Sequence, residues 1–201
     1  MMLRVSQLRG FNRAPQIGRI ITAINVSLTQ QNSGWQGFTV RQFIQPGALV
    51  SAPPLCQFIR LLLQGPASAP TGIGALWAGV AAAGTPVVGA GGNLNALSVV
   101  AMTYQRAASF TIPQGAQIMT DMIQFLYDKS TPLYIGAYFV GATTNYLAFD
   151  AGFTFGSTFF YKTGGGGDES GQLIVDPATY TQSTAGTNPL CLTPQINFSA
   201  G

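Results

Sequence analysis

The sequence is divided into short apolar stretches, each 6 to 11 residues long, separated by glycine, proline and small polar residues. About ten stretches follow one another, among them RIITAINVSLT, GFTVRQFI, LCQFIRLLLQ and PLYIGAYFVG. β-Strands are bounded in this way, whereas a helix needs a longer segment with a 3.6-residue apolar period. One stretch, DMIQFLYDK, has the alternative of a short helix. The series predicts an all-β fold, a single antiparallel β-sandwich of jelly-roll type.

We expect one domain, because 201 residues suffice for one sizeable core and no internal repeat is visible. Residues 1–18 are assigned to an extended N-terminal arm and residues 19–201 to the β-sandwich. Residues 176–188, rich in Thr, Ser and Ala, are expected to form an extended surface segment before the chain returns to the sheet near Leu190.

The chain is unusually poor in charge. Charged residues make up 7% of it, against about 25% in an ordinary soluble protein, while hydrophobic residues reach 47%. A surface with so little charge must be covered by small polar side chains or by other subunits. This composition is typical of assembly components and extracellular binding modules rather than of free cytoplasmic enzymes.

The basic residues are concentrated near the N-terminus, and no acidic residue precedes Asp121. An arm with only positive charge can dock on an acidic partner or on nucleic acid. Nucleic-acid binding usually requires denser clusters that include lysine, so we favour contacts with other subunits. The candidate assembly residues are Arg4, Arg9, Arg13 and Arg19.

Two segments bear on targeting. MMLRVSQLRGFNRAP lacks the apolar core of a secretory signal, so we expect assembly in the cytoplasm. IGALWAGVAAAGTPVVGAGG is uncharged and long enough for a membrane helix. Pro86, the frequent glycines and the lack of bulky aliphatic residues instead predict a strand followed by a small-residue loop, and no membrane span.

Catalysis is not expected. The chain has no histidine, which excludes Ser-His-Asp and Cys-His systems within it. Paired carboxylates in glycosidases are held about 5 to 9.5 Å apart on rigid elements. Here the only adjacent acids, Asp168 and Glu169, lie in the glycine-rich loop TGGGGDESG. We therefore predict no enzyme activity, no catalytic residue and no cofactor.

The same two acids are the candidates for a calcium site, since β-sandwich loops often supply such ligands. We favour the alternative, a solvated loop tip, and predict no metal; Lys129 and Lys162 are likewise expected in solvent. Cys56 and Cys191 lack metal-ligand spacing and are expected to be buried small side chains. If their strands are neighbours, a disulfide between the two cysteines is the alternative.

Exposed aromatic side chains could stack on sugar rings, although aromatic residues more often lie in cores or interfaces. Trp35 is adjacent to the turn NSGWQG and is the best placed for a rim. Tyr146 and Tyr161 are further candidates for glycan contact, whereas Trp77, in an apolar strand, is expected in the core.

The stretch SFTIPQGAQIMTDMIQF combines a turn signal with an isolated acid. Pro113 fixes φ and withholds an N–H, and Gly115 tolerates the positive φ of a tight turn. Asp121 has no visible catalytic partner. We predict that it is a partly buried structural acceptor for neighbouring loop N–H groups.

The region from about Cys56 to Gly164, just over half the chain, contains FIRLLLQG, IGALWAGVAA, ASFTIPQGAQIMTDMIQF, TPLYIGAYFVG and YKTG in order. This pattern resembles the β-sandwich module beside the catalytic domain of some SGNH/GDSL-type esterases. It also resembles a similar module in phage and gene-transfer-agent virion proteins, including head spikes. The matching positions are Thr111, Ile112, Pro113, Gly115, Thr120, Asp121, Leu133, Tyr138 and Gly141.

The resemblance implies fold more than function, and hydrolysis cannot be transferred because the chain lacks both the Gly-Asp-Ser block and histidine. We expect a virion structural protein of a tailed phage or phage-like particle, as a head decoration, spike or tail-tip subunit. It would form a homo-oligomer, a trimer or pentamer, and contact other virion proteins. The alternative is a carbohydrate-binding module that recognises host surface polysaccharide.

Overall fold

The computed structural model describes residues 20–22, 37–49, 52, 54–67, 69–82, 93–140, 158–162, 167–174, 179–184 and 195–199, and every structural statement below refers to these residues. Pro46–Ala48 forms a single 3₁₀ turn. All other regular elements in these ranges are strands: β1 (Ile20–Thr22), β2 (Thr39–Ile44), β3 (Leu55–Gln64), β4 (Thr71–Val80), β5 (Val100–Ala101), β6 (Phe110–Ile112), β7 (Gln117–Met119), β8 (Ile123–Asp128), β9 (Leu133–Val140), β10 (Thr158–Lys162), β11 (Thr181–Thr184) and β12 (Gln195–Ser199).

The strands form two antiparallel sheets. The five-stranded sheet has the order β1-β12-β3, and β7 and β8 follow one another along the far side of β3. The seven-stranded sheet has the order β11-β10-β2-β9-β4, with β5 and β6 both paired to β4. The predicted all-β antiparallel sandwich is confirmed, and the N-terminal arm lies outside the described residues.

The main core lies between the sheets. Alternate residues of β3, including Ile59, Leu61 and Leu63, are buried there, as are Ile135 and Ala137 of β9. Since successive side chains of a strand point to opposite faces, the period-2 pattern of these segments fills the space between the sheets.

A second, smaller core covers the outer face of the seven-stranded sheet. Phe43 and Tyr134 alternate with the main-core residues Ile44 and Ile135, so they project from the opposite face of the same sheet. They are fully buried together with Phe160 and with Leu94. The seven-stranded sheet is therefore covered on both faces in this region.

Several strand predictions require correction. QIMTDMIQFL forms two strands instead of one, because the Thr120 main chain and hydroxyl both bond Leu61 and interrupt the regular ladder. DMIQFLYDK contributes to β8, so its helical alternative is wrong. Part of the segment expected at the surface, Thr181–Thr184, is hydrogen-bonded in the sheet as β11. In LNALSVVAMTY only Val100–Ala101 is a strand.

Candidate functional site

The chain crosses between the two sheets at the Pro113–Ala116 turn. β6, before the turn, pairs with β4, while β7, after it, pairs with β3. The Ala116 N–H donates to the Pro113 carbonyl over 3.1 Å, and Gly115 has φ +65°, as a type II turn requires at its third residue. The turn packs against Gly65, where an added Cβ would lie 2.2 Å from the Pro113 carbonyl oxygen.

Asp121 lies between β7 and β8 of the five-stranded sheet and forms hydrogen bonds to a residue at the edge of the seven-stranded sheet. Its N–H donates to the Thr103 carbonyl over 2.8 Å, and its carboxylate accepts from the Thr103 hydroxyl over 2.6 Å. Thr103 follows β5, at the edge of the seven-stranded sheet. Asp121 therefore connects the two sheets on this side of the sandwich.

The Asp121 carboxylate also stabilises a strained turn. Tyr104 and Ala107 exchange two main-chain hydrogen bonds of 3.0 Å, so Gln105 and Arg106 form a two-residue turn, with φ 52° and 67°. Such turns usually contain Asn-Gly, because positive φ is unfavourable for other side chains. Both turn N–H groups donate to Asp121, over 3.2 Å and 2.7 Å.

These contacts change the acidity of the carboxyl group. The hydrogen bond from Thr103 and the N–H of Arg106 hold the pKa of Asp121 below its usual range. The carboxylate is therefore charged at neutral pH, when it accepts these bonds most strongly. The three donors all precede Asp121 by 15 to 18 residues. The sequence indicated an acceptor, but it gave no signal for this turn, because Gln-Arg is not a usual turn pair.

An apolar surface lies where β8 faces the segment before β5. A shallow groove of about 220 Å³ is lined by Leu97, Ser98, Val100, Gln124, Phe125 and Leu126. Leu97 is 98% exposed and Leu126 is 72% exposed. Among the described residues, β8 pairs with β3 alone, so its other side is a sheet edge. We call this surface, with Leu97, Ser98, Val100, Gln124 and Leu126, the β8 edge.

A buried arginine holds the acidic loop against the sheet. Arg41, on β2, is fully buried, lies 4.9 Å from the centre of the Tyr134 ring, and donates from Nη1 to the carbonyls of Glu169 and Gln172, each over 2.9 Å. The Tyr134 hydroxyl donates to the Ser170 carbonyl. The described part of the loop, residues 167–171, is thus docked on the outer face of the seven-stranded sheet. This corrects the expectation of a solvated tip for Glu169, whereas Asp168 is exposed.

Glu169 is paired rather than available as an ion ligand. Its carboxylate accepts from Lys162 over 2.5 Å and from Tyr180 over 2.8 Å. Burial alone would raise the pKa of Glu169, but the bonds from Lys162 and Tyr180 and the charge of Arg41 hold it below its usual value. Asp168 instead accepts from Ser170. Within the described part of the chain, no three potential ligands cluster in a metal-binding group.

Both lysines expected in solvent are half-buried and hydrogen-bonded. Lys162 forms the ion pair with Glu169, and Lys129 donates to the Ala52 carbonyl over 3.1 Å. Cys56 is a buried thiol, and burial raises its pKa to about 11 although Lys129 lowers it. Cys191 lies outside the described residues.

Only one glycan candidate falls within the described ranges. Tyr161 is half-buried, packs against the main core and stacks on Phe38 with ring centres 6.2 Å apart. Trp35 and Tyr146 lie outside the described residues, as do Arg4, Arg9, Arg13 and Arg19. The glycan and arm contacts therefore stay predictions.

Comparison with known proteins leaves the family open: no family model matches the chain, and no curated protein matches it. The structure does bear on the membrane question. In the ranges that the structure describes, no helix has the length and apolarity needed to cross a bilayer.

Proposed function

We propose that this chain is a non-enzymatic structural subunit of a virion or phage-like particle, in which it forms a homo-oligomer. The observation that carries the proposal is the apolar surface at the β8 edge. Leu97 and Leu126 are both exposed and line one groove, which sets them apart from the other exposed apolar side chains of the described residues. Exposed apolar patches of this kind mark interaction sites in soluble proteins.

The low charge of the chain supports the same proposal. Solubility of a free protein usually relies on charged surface, and only 7% of this chain is charged. An oligomer buries part of the uncharged surface and needs less charge than a monomer. The more specific assignment to a tailed phage, as head decoration, spike or tail-tip subunit, rests on the strand pattern between Cys56 and Gly164.

The decisive experiment examines particles from cultures of the organism that encodes the chain. We expect the chain to sediment with the particles in a density gradient and to be detected on their surface by antibody-gold electron microscopy. We also expect the purified chain to be an oligomer by light scattering.

A variant lacking residues 1–18 separates docking from folding. Because the basic residues of the arm precede the strands, the variant should keep the β-sheet circular dichroism spectrum but fail to join the particles. Absence of the full chain from the particles would refute the proposal. A monomer that binds host polysaccharide would support the carbohydrate-binding alternative instead.

A further inference from the structure

We draw no further inference here: the strongest candidate, the apolar surface at the β8 edge where Leu97 and Leu126 are exposed, carries nothing beyond the proposed subunit contact, because nothing in the described part of the structure shows what covers it.

Discussion

Asp121 shows how one carboxylate replaces the usual turn residues. Asn-Gly adopts a two-residue turn with little strain, whereas Gln105 and Arg106 hold positive φ with both N–H groups bonded to Asp121. The same carboxylate also bonds Thr103 at the edge of the other sheet. Its loss should therefore affect both the turn and the connection between the sheets.

We expect Asp121→Ala to lower the free energy of unfolding by about 2 to 3 kcal/mol, because it leaves charge-assisted hydrogen bonds unmade. Asp121→Asn should cost about half as much, since one carbonyl oxygen still accepts. Urea denaturation at pH 7 measures both. Asp128→Asn is the control, because its exposed carboxylate bonds Ser130 alone among the described residues. Equal effects of Asp121→Asn and Asp128→Asn would contradict the structural role of Asp121.

The lowered pKa of Asp121 also predicts a pH dependence. A carboxylate whose pKa is lower in the folded than in the unfolded state stabilises the fold above its unfolded value, about 3.9, and this stabilisation is lost as pH falls through the folded pKa. The stability difference between wild type and Asp121→Asn should therefore be constant near neutral pH and shrink below about pH 4. A constant difference down to pH 2 would show that folding does not lower the pKa of Asp121.

Among the elements, the docked segment 167–174 depends on Arg41. A buried guanidinium without hydrogen-bond acceptors has a large desolvation cost. The same holds for buried carbonyl groups that lose the guanidinium as their donor. The Leu94 N–H donates to the Leu173 carbonyl over 2.8 Å, so the exchange rate of this amide reports whether the segment is docked.

We expect Arg41→Met to speed hydrogen exchange at the Leu94 amide by about tenfold or more, because two carbonyls of the segment lose their donor. Glu169→Gln removes the ion pair with Lys162 but keeps the Glu169 carbonyl that Arg41 bonds. It should change the Leu94 rate far less. Unchanged protection in Arg41→Met would show that Arg41 does not hold the segment.

The elements also show what the sequence could and could not predict. The strands β3, β4 and β9 could be predicted from the sequence, because the apolar residues within each segment indicate a buried strand without reference to the rest of the chain. The break between β7 and β8 could not be predicted, since it depends on Thr120 bonding Leu61, 59 residues away. The docking of Glu169 could not be predicted either, because its contact with Arg41 spans 128 residues of sequence. Charged residues are expected at the surface, so a buried Arg41 has no local signal.

At the scale of the whole molecule, β12 is inserted between β1 and β3. Strand pairing between residues so far apart in sequence is slow, because the intervening chain must be ordered first. Removing β12 leaves two strand edges unpaired, and the apolar β3 is one of them.

We expect a chain truncated before Gln195 to be insoluble or unfolded, because β1 loses the strand it pairs with and β3 loses its partner on one side. A chain ending after Ser199 keeps all of β12 and is the control. Soluble expression and circular dichroism compare the two. A folded, soluble truncation at Gln195 would show that the five-stranded sheet does not require β12.

The position of β12 also constrains synthesis in the cell. Ribosomes add about 5 to 20 residues per second, so β3 waits on the order of ten seconds before its partner strand has been made. During that time the β3 edge that later pairs with β12 is unpaired, and it can contact other nascent chains that are being translated from the same messenger RNA. Completion of the five-stranded sheet is therefore an event that follows translation of residues 195–199, and chaperones that bind extended apolar segments have a defined interval in which to act.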